Sequence, residues 1–323
     1  MTNGARPIVI TGLPRSGTTW TLTALSEGPG IRPAPERDNE DNNPSAIYAK
    51  RRLGRYPLLN PGDASPAYRQ LWDWILSGAD EPRRLAWARW LLGPGAKERI
   101  FEGKQDFAAW SAGNLARNPR PGREPTRTSG GRRVIAKSIH AQLALDWLDS
   151  EFAIDVLVLL RHPANVLASW MQVNLKDSRN STLETRPEVR TRYLDPWGVR
   201  LPGPDRVEQM CWRICLLTAA LEDAAERHPR WLLRTHEDLC VDPVTKFQTL
   251  CHDLGLDWTD QHHDYLVSHN TPGDGFKLRR IAEELPNAWE YRLDEAAIDT
   301  LQRVLGWFPI GTWTADDFRR TAT

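Results

Sequence analysis

The chain has 323 residues, of which 40% are hydrophobic and 26% are charged, a composition that is ordinary for a globular protein. Its 42 basic and 42 acidic residues cancel, so charge gives no reason to expect nucleic acid or an anionic membrane as a partner. The longest apolar run, residues 156–160, is far too short to cross a bilayer, and the N-terminus lacks a signal-peptide pattern.

Strand and helix patterns alternate along the first half of the chain. The β-branched run over residues 7–12 predicts a buried parallel strand, and a helix is expected to follow over 19–25. Residues 36–43 are polar and acidic without periodicity, which predicts a loop. Helical periodicity continues over 68–92. Residues 113–132 are rich in Gly, Pro, Arg and Ser, which predicts a flexible insertion.

The second half repeats this alternation. The predicted strands cover residues 133–137, 155–160 and 231–235. The predicted helices cover 140–150, a segment beginning near Pro163, and 207–226, 242–254 and 294–305. The pattern predicts an α/β fold in three layers, with a mostly parallel central sheet flanked by helices. We expect a single domain over 1–323, because neither side of the insertion looks complete alone.

The loop that follows the first strand has the spacing of a phosphate-binding loop. Gly12 and Gly17 are separated by four residues, as in GxxxxGK[ST], and small residues let backbone N–H groups converge on an anion at a helix start. Thr18 stands where the nucleotide-binding lysine would be, so Arg15 is the only cation within the loop. A tight turn without a ligand is the alternative.

The string LPRSGTTW, residues 13–20, resembles the 5′-phosphosulfate loop of sulfotransferases that use 3′-phosphoadenosine 5′-phosphosulfate (PAPS). In that family, a basic residue at the position of Arg15 contacts the phosphosulfate, and a tryptophan at the position of Trp20 lies against the adenine. The resemblance also implies that the 5′-phosphate is bound by the residues that follow Arg15, namely Ser16, Gly17, Thr18 and Thr19. The loop is therefore P-loop-like.

A second motif, DVLVLLRHPANVLASW, resembles the 3′-phosphate element of the same family. Arg161 ends a predicted strand, on the side of a parallel sheet that binds ligands, and Ser169 follows eight residues later. Taken alone, Arg161 could be only a salt-bridge partner, and Ser169 could be only a solvated helical serine. The resemblance implies two further contacts with the cofactor, from Lys137 at a strand end and from Arg279 in FKLRR. Both could equally be surface charges.

Sulfuryl transfer to a hydroxyl or amine requires a group that accepts the acceptor's proton. Glu36 and His140 are the two candidates, and the sequence leaves the choice between them open. The other acids of 36–41 are interpreted as ordinary loop acids, although Glu40 or Asp41 could take the place of Glu36 as the base. Arg15 would stabilise the charge on the transferring group, and no metal is required in this scheme.

We therefore predict a PAPS-dependent sulfotransferase that acts on a hydroxyl or amine of a small-molecule or carbohydrate acceptor and releases adenosine 3′,5′-bisphosphate. The alternatives are a P-loop nucleotide or small-molecule kinase and a non-catalytic nucleotide-binding protein. Four cysteines without paired spacing predict free thiols in a reducing cytoplasm. Neither nucleic acid nor a membrane is expected as a partner. The sequence indicates neither the acceptor nor the oligomeric state.

Overall fold

The computed structural model of the protein describes residues 5–40, 43–77, 132–173, 183–272 and 281–319. Three sequence predictions fall wholly or partly outside these ranges. They concern the insertion 113–132, Arg279 and the part of the predicted helix 68–92 beyond residue 77.

A five-stranded sheet forms the centre of the described fold, and all of its strand pairs are parallel. The strands are β1 (Ile8–Thr11), β2 (Ile31–Pro35), β3 (Arg133–Ser138), β4 (Asp155–Leu160) and β5 (Leu232–Thr235). They lie in the order β2-β3-β1-β4-β5. Because the strands are parallel, their carboxyl ends share one edge of the sheet, which is the usual ligand side of an open α/β fold.

Ten helices of six or more residues surround the sheet in the described ranges. They are α1 (Thr18–Leu25), α2 (Pro44–Lys50), α3 (Pro66–Ser77), α4 (Leu145–Phe152), α5 (Pro163–Gln172), α6 (Arg206–Arg227), α7 (His236–Val241), α8 (Pro243–Asp253), α9 (Asp260–His269) and α10 (Glu295–Leu305). Among the described residues, no helix combines the length and the apolar character that crossing a membrane requires.

Two apolar clusters cover the two faces of the sheet. On one face, Ile8, Ile10 and Leu157 pack with Leu25 of α1 and Phe247 of α8. The larger cluster lies on the other face and contains side chains of strands β1, β3 and β4 together with α3, α4, α5, α6 and α10. The alternation of side chains along each strand sends successive residues to opposite faces. The predicted three-layer α/β fold with a mostly parallel sheet is confirmed.

Two local predictions differ from the structure. Strand β2 was not predicted, because Pro33 and Pro35 disfavour a strand assignment; the structure tolerates both prolines because β2 pairs only with β3, at the edge of the described sheet. The helix predicted over 140–150 begins at Leu145, after a short 3-10 turn over Gln142–Ala144. His140 therefore lies in the connection after β3 and not in a helix.

Candidate functional site

The loop between β1 and α1 turns through two residues with left-handed backbone. Arg15 has φ of 75° and Gly17 has φ of 91°. A side chain is disfavoured at Gly17 by the left-handed backbone, and it is also excluded because a Cβ there would lie 2.1 Å from Cδ2 of His236. Arg15 adopts this conformation without being glycine, which costs on the order of 1 kcal/mol and is a feature of binding loops.

Side chains from two other elements hold this loop in place. The indole Nε1 of Trp170, in α5, donates a 2.9 Å hydrogen bond to the Pro14 carbonyl. The Gln142 amide donates a 2.9 Å hydrogen bond to the carbonyl of Gly12. The loop is thus fixed by its surroundings, as expected where a strained backbone persists.

The first turn of α1 is left without a side-chain cap. Gly17 occupies the N-cap position of this helix and contributes no side-chain hydrogen bond, and the first turn carries no acidic residue. By contrast, the aspartates at the N-caps of α6, α8 and α10 each accept a backbone N–H of their own helix. The first N–H groups of α1 point toward the sheet's carboxyl edge and favour an anion there.

The two predicted phosphate elements contact each other directly. Nε of Arg15 donates a 2.9 Å hydrogen bond to Oγ of Ser169, and Nη1 of Arg161 donates a 2.7 Å hydrogen bond to the Arg15 carbonyl. Arg161 is half-buried, but its Nε is buried and has no hydrogen-bond partner among the described residues; the same holds for the buried Oγ of Ser16. Two buried polar atoms beside one loop suit a polar ligand.

Glu237 lies behind Arg161 and was not singled out from the sequence. Its two carboxylate oxygens each accept a 3.1 Å hydrogen bond from the backbone N–H of His162, and Oε1 also accepts from the Asn165 amide at 3.2 Å. Burial lowers the pKa of Arg161, and the nearby Glu237 carboxylate acts in the opposite direction. An arginine remains charged under these conditions.

Trp20 and His236 are in contact, and His236 lies next to Gly17 of the loop. The ring centroid of Trp20 lies 5.7 Å from that of His236 and 4.8 Å from that of Phe247, and both contacts are edge-on. Burial, followed by the charge of Arg161, holds the pKa of His236 well below its ordinary value, so its ring is neutral. Trp20 is half-buried, and part of its ring is therefore accessible.

Lys137 connects the loop to Glu36. Its ammonium donates a 2.5 Å hydrogen bond to Oγ1 of Thr19 and also pairs with Oε1 of Glu36. Only 4% of the Lys137 side chain is exposed, which excludes the surface-lysine interpretation, whereas 21% of the Glu36 side chain is exposed. Burial acts to raise the pKa of Glu36, but the charge and hydrogen bond of Lys137 outweigh it and lower the pKa below 4.5.

Three acids after β2 pair in turn with three residues at the end of β3, and we call this set the acid ladder: Glu36 with Lys137, Asp38 with Ser138, and Glu40 with His140. Ser138 donates a 2.5 Å hydrogen bond to Oδ2 of Asp38. Nδ1 of His140 lies 3.3 Å from Oε2 of Glu40. The ladder follows from the register of the parallel strands, which places Pro35 opposite Lys137.

The interpretation of residues 36–41 as ordinary loop acids is wrong for Asp38 and Glu40. Both are buried, with 1% and 2% of their surface exposed. Glu40 is surrounded by cations, since it pairs with Lys50 and accepts a 2.5 Å hydrogen bond from Nε of Arg55. Burial would raise the pKa of Glu40, but Lys50, His140 and Arg55 lower it well below its ordinary value. Sequence position alone gave no sign of this burial.

His140 is part of this buried cluster. It is 2% exposed, and its ring packs edge-on against Tyr56 at a centroid distance of 5.3 Å. Burial lowers its pKa, with the charge of Lys50 acting in the same direction and Glu40 opposing both. The imidazole is therefore neutral at pH 7, and Nδ1 faces the Glu40 carboxylate. Among the described residues, no group of three or more His, Cys, Asp or Glu side chains is arranged to hold a metal ion.

Comparison with known proteins gives one family match. The model of the sulfotransferase family matches residues 7–260. Among solved structures, the sulfotransferase domain from the curacin biosynthetic pathway is similar at 15% identity and a TM-score of 0.48, with 94% of this chain and 96% of that chain covered. The sulfotransferase domain of the Synechococcus PCC 7002 olefin synthase has 17% identity, a TM-score of 0.46 and the same coverage. No curated protein sequence matches this chain.

Proposed function

Because the chain belongs to the sulfotransferase family, we propose that it transfers a sulfuryl group from PAPS to a hydroxyl or amine of a small-molecule or carbohydrate acceptor. Adenosine 3′,5′-bisphosphate is the second product. The observation that carries this proposal is the contact between the two predicted anion-binding elements: Arg15 bonds Ser169 across 154 residues of sequence, and Arg161 bonds the Arg15 backbone across 146. We further propose that residues 1–323 form one domain that acts in the cytoplasm, where its four buried cysteines would stay reduced.

The 5′-phosphosulfate is assigned to the start of α1. The uncapped N–H groups of the first turn and the hydroxyls of Thr18 and Thr19 would hold its oxygens, with the backbone of Ser16 and Gly17 forming the turn around it. Arg15 and Lys137 would supply positive charge from two sides, since Lys137 already contacts Thr19. This donor set contains hydroxyls, backbone N–H groups and cations, which is the chemistry that a phosphosulfate requires.

The 3′-phosphate is assigned to Arg161 and Ser169. Two observations support this assignment. The buried Nε of Arg161 lacks a hydrogen-bond partner among the described residues, and the Ser169 hydroxyl accepts a hydrogen bond from Arg15 in the loop. A guanidinium suits a phosphate because its N–H groups form paired hydrogen bonds. These two residues would select PAPS over nucleotides that lack a 3′-phosphate. The accessible part of the Trp20 ring is proposed to lie against the adenine.

Glu36 is the proposed general base. It is partly exposed and lies one side chain away from the Thr19 hydroxyl, through Lys137. As the new bond from the acceptor oxygen or nitrogen to sulfur forms, the acceptor's proton passes to the Glu36 carboxylate. The bond from sulfur to the bridging oxygen breaks, and Arg15 and Lys137 stabilise the charge that develops on that oxygen. His140 is the second candidate; its neutral, buried imidazole lies beside the Glu40 carboxylate.

Two measurements test the activity against its rivals. In the presence of a chelator, adenosine 3′,5′-bisphosphate should raise the melting temperature of the protein, because ligand binding stabilises the folded state. Radiolabelled PAPS offered with a panel of hydroxyl and amine acceptors should then give a labelled product. Stabilisation by ATP with Mg²⁺ but not by the bisphosphate would instead support a kinase. Bisphosphate binding without transfer to any acceptor would support a non-catalytic nucleotide-binding protein.

Arg15→Ala provides the specific control for transfer. Removing one preorganised protein group that stabilises charge on the transferring group typically lowers kcat by about 100- to 1,000-fold. We expect a loss of that size in Arg15→Ala. The matched control is Arg52→Ala, which removes an exposed arginine in the turn after α2. Unchanged transfer in Arg15→Ala would remove Arg15 from the mechanism.

A further inference from the structure

We propose that Lys137 is shared between Glu36 and the donor, so that donor binding draws the ammonium away and leaves the Glu36 carboxylate to take the acceptor's proton. In the absence of donor, Glu36 holds Lys137 and weakens donor binding. This inference rests on the proposed function, because it requires an anion at the start of α1. It implies an order of binding, because the Glu36 carboxylate becomes a better proton acceptor only after the donor has bound.

The position of Lys137 carries the inference. Its ammonium simultaneously contacts Thr19 Oγ1, in the first turn of α1, and Oε1 of Glu36. The ammonium therefore lies at the phosphate-binding turn and at the Glu36 carboxylate at the same time. A lysine ammonium has three donors on a flexible stem, so it can divide its hydrogen bonds between two acceptors or turn toward one.

The backbone around this pair is fixed, which confines any change to the side chains. The Glu36 backbone N–H donates a 3.0 Å hydrogen bond to the carbonyl of Lys137, and the Asn39 N–H donates a 3.0 Å hydrogen bond to the carbonyl of Glu36. The Asn39 amide also donates a 2.9 Å hydrogen bond to Oε2 of Glu36. Asn39 can thus hold the carboxylate in position when Lys137 turns toward the donor.

Competition for the ammonium follows from charge and burial. Only 4% of the Lys137 side chain is exposed, so its interactions are weakly screened by solvent. A phosphosulfate or phosphate bound beside Thr19 carries more negative charge than one carboxylate, so it attracts the Lys137 ammonium more strongly. The positive N-terminal end of α1 holds that anion in place. The charged form of Glu36 is at present stabilised by Lys137, and a carboxylate that loses such a partner becomes a stronger proton acceptor.

Isothermal titration with adenosine 3′,5′-bisphosphate tests the competition without any need for an acceptor. Four proteins are compared: wild type, Glu36→Gln, Lys137→Gln and the double variant. Removing the competing carboxylate in Glu36→Gln should tighten bisphosphate binding by about five- to tenfold, and Lys137→Gln should weaken it by a similar factor. The double variant should bind like Lys137→Gln, because without the ammonium there is nothing to compete for.

Two controls separate this mechanism from a general charge effect. Glu226→Gln removes an exposed acid on α6 and should leave bisphosphate affinity unchanged. Glu36→Asp keeps the charge but retracts it by one methylene, and its affinity should fall between those of wild type and Glu36→Gln. Circular dichroism and thermal unfolding establish that each variant is folded.

Each outcome is decisive for one of the two proposals. Equal or weaker binding in Glu36→Gln would overturn the sharing of Lys137, and so would tightening that persists in the Lys137→Gln background. If wild-type protein does not bind the bisphosphate at all, the proposed function itself fails together with the inference. If the bisphosphate binds equally to all four proteins, the function stands and only the inference is lost.

Discussion

Arg15 donates a 2.9 Å hydrogen bond from its Nε to the hydroxyl of Ser169, and this contact joins the loop after β1 to helix α5. The two residues come from sequence motifs that resemble different phosphate sites, yet one hydrogen bond connects them. A ligand that binds both motifs must therefore meet a single continuous surface. In the proposed function, the 5′-phosphosulfate and the 3′-phosphate of the donor would therefore bind to neighbouring side chains.

Selection for the 3′-phosphate is expected to depend on Arg161. Arg161→Gln should weaken binding of adenosine 3′,5′-bisphosphate by about 10- to 100-fold, because charge-assisted hydrogen bonds contribute about 1.5–3 kcal/mol each. Binding of adenosine 5′-monophosphate should change much less. Titration calorimetry with both nucleotides measures the ratio. Equal losses for the two nucleotides would show that Arg161 shapes the loop and does not read the 3′-phosphate.

The choice between Glu36 and His140 is testable by comparing their isosteric variants. At saturating donor and acceptor, Glu36→Gln should lower kcat by about 100-fold or more, as is typical for loss of a general base. His140→Asn should have the smaller effect on kcat and a larger effect on the melting temperature, because its ring is packed in the buried cluster. The reverse ranking of kcat would assign the base to His140.

The pH dependence of kcat/KM gives a second readout of the base. When kcat/KM is determined for the donor, it reports the free enzyme, in which Lys137 lowers the pKa of Glu36 below 4.5. A base must be deprotonated to act, so activity through Glu36 should persist down to that pH and fall only as the pH passes below the lowered pKa. Steady-state rates from pH 4 to 8, corrected for unfolding, provide the measurement.

Stability is expected to depend on the buried pair of Glu40 and Lys50. Glu40→Gln leaves the fully buried Lys50 ammonium without its carboxylate, and breaking a buried pair in this way typically costs about 3–5 kcal/mol of unfolding free energy. The double variant Glu40→Leu with Lys50→Met should recover much of that loss. Urea unfolding at pH 7 measures both.

An exposed pair provides the control for this prediction. Asp238→Asn breaks a surface ion pair with Lys246, and such pairs contribute about 0–1 kcal/mol. Because the pKa of Glu40 is lowered in the folded state, its stabilising contribution is present above the unfolded pKa and is lost as the pH falls through the folded one. A Glu40→Gln protein as stable as Asp238→Asn would contradict the assignment of the buried cluster as a structural element.

His162 should make stability fall in mildly acidic solution. Burial lowers its pKa from 6.5 to about 4, so the unfolded chain binds a proton that the folded protein does not bind between these values. The unfolding free energy should therefore drop by about 3 kcal/mol as the pH falls from 7 to 4, since each pKa unit corresponds to about 1.36 kcal/mol. His162→Asn should remove this component, and asparagine can still cap α5 as the imidazole does. His252→Asn, at an exposed position, should leave the slope unchanged.

Much of the sheet and the phosphate loop could be predicted from the sequence. Apart from Thr11 at the end of β1 and Asp155 at the start of β4, these two strands are apolar, as is typical of a buried parallel strand. The spacing of Gly12 and Gly17 indicated the turn, because only small residues allow the backbone to fold so closely. These features are local, so a single sequence contains them.

The features that could not be predicted depend on contacts between distant segments. The acid ladder exists because β2 lies beside β3 in one register, and β2 itself was hidden by its prolines. The burial of Lys50 was equally invisible, since a lysine in a short helix normally reaches solvent. The partnership of Glu237 with the backbone of His162 likewise joins the end of β5 to the end of β4.

The two prolines of β2 have a further consequence for how copies of this protein behave in concentrated solution. An open sheet edge presents backbone N–H groups that can recruit a strand from another molecule and begin aggregation. Pro33 and Pro35 have no N–H to offer, and both are exposed while Ala34 between them is buried. Replacing them with valine would create an edge suited to intermolecular pairing, directly beside Glu36. In the part of the chain that the structure describes, the prolines that disfavour a strand assignment thus also remove N–H donors from the edge of the sheet beside Glu36.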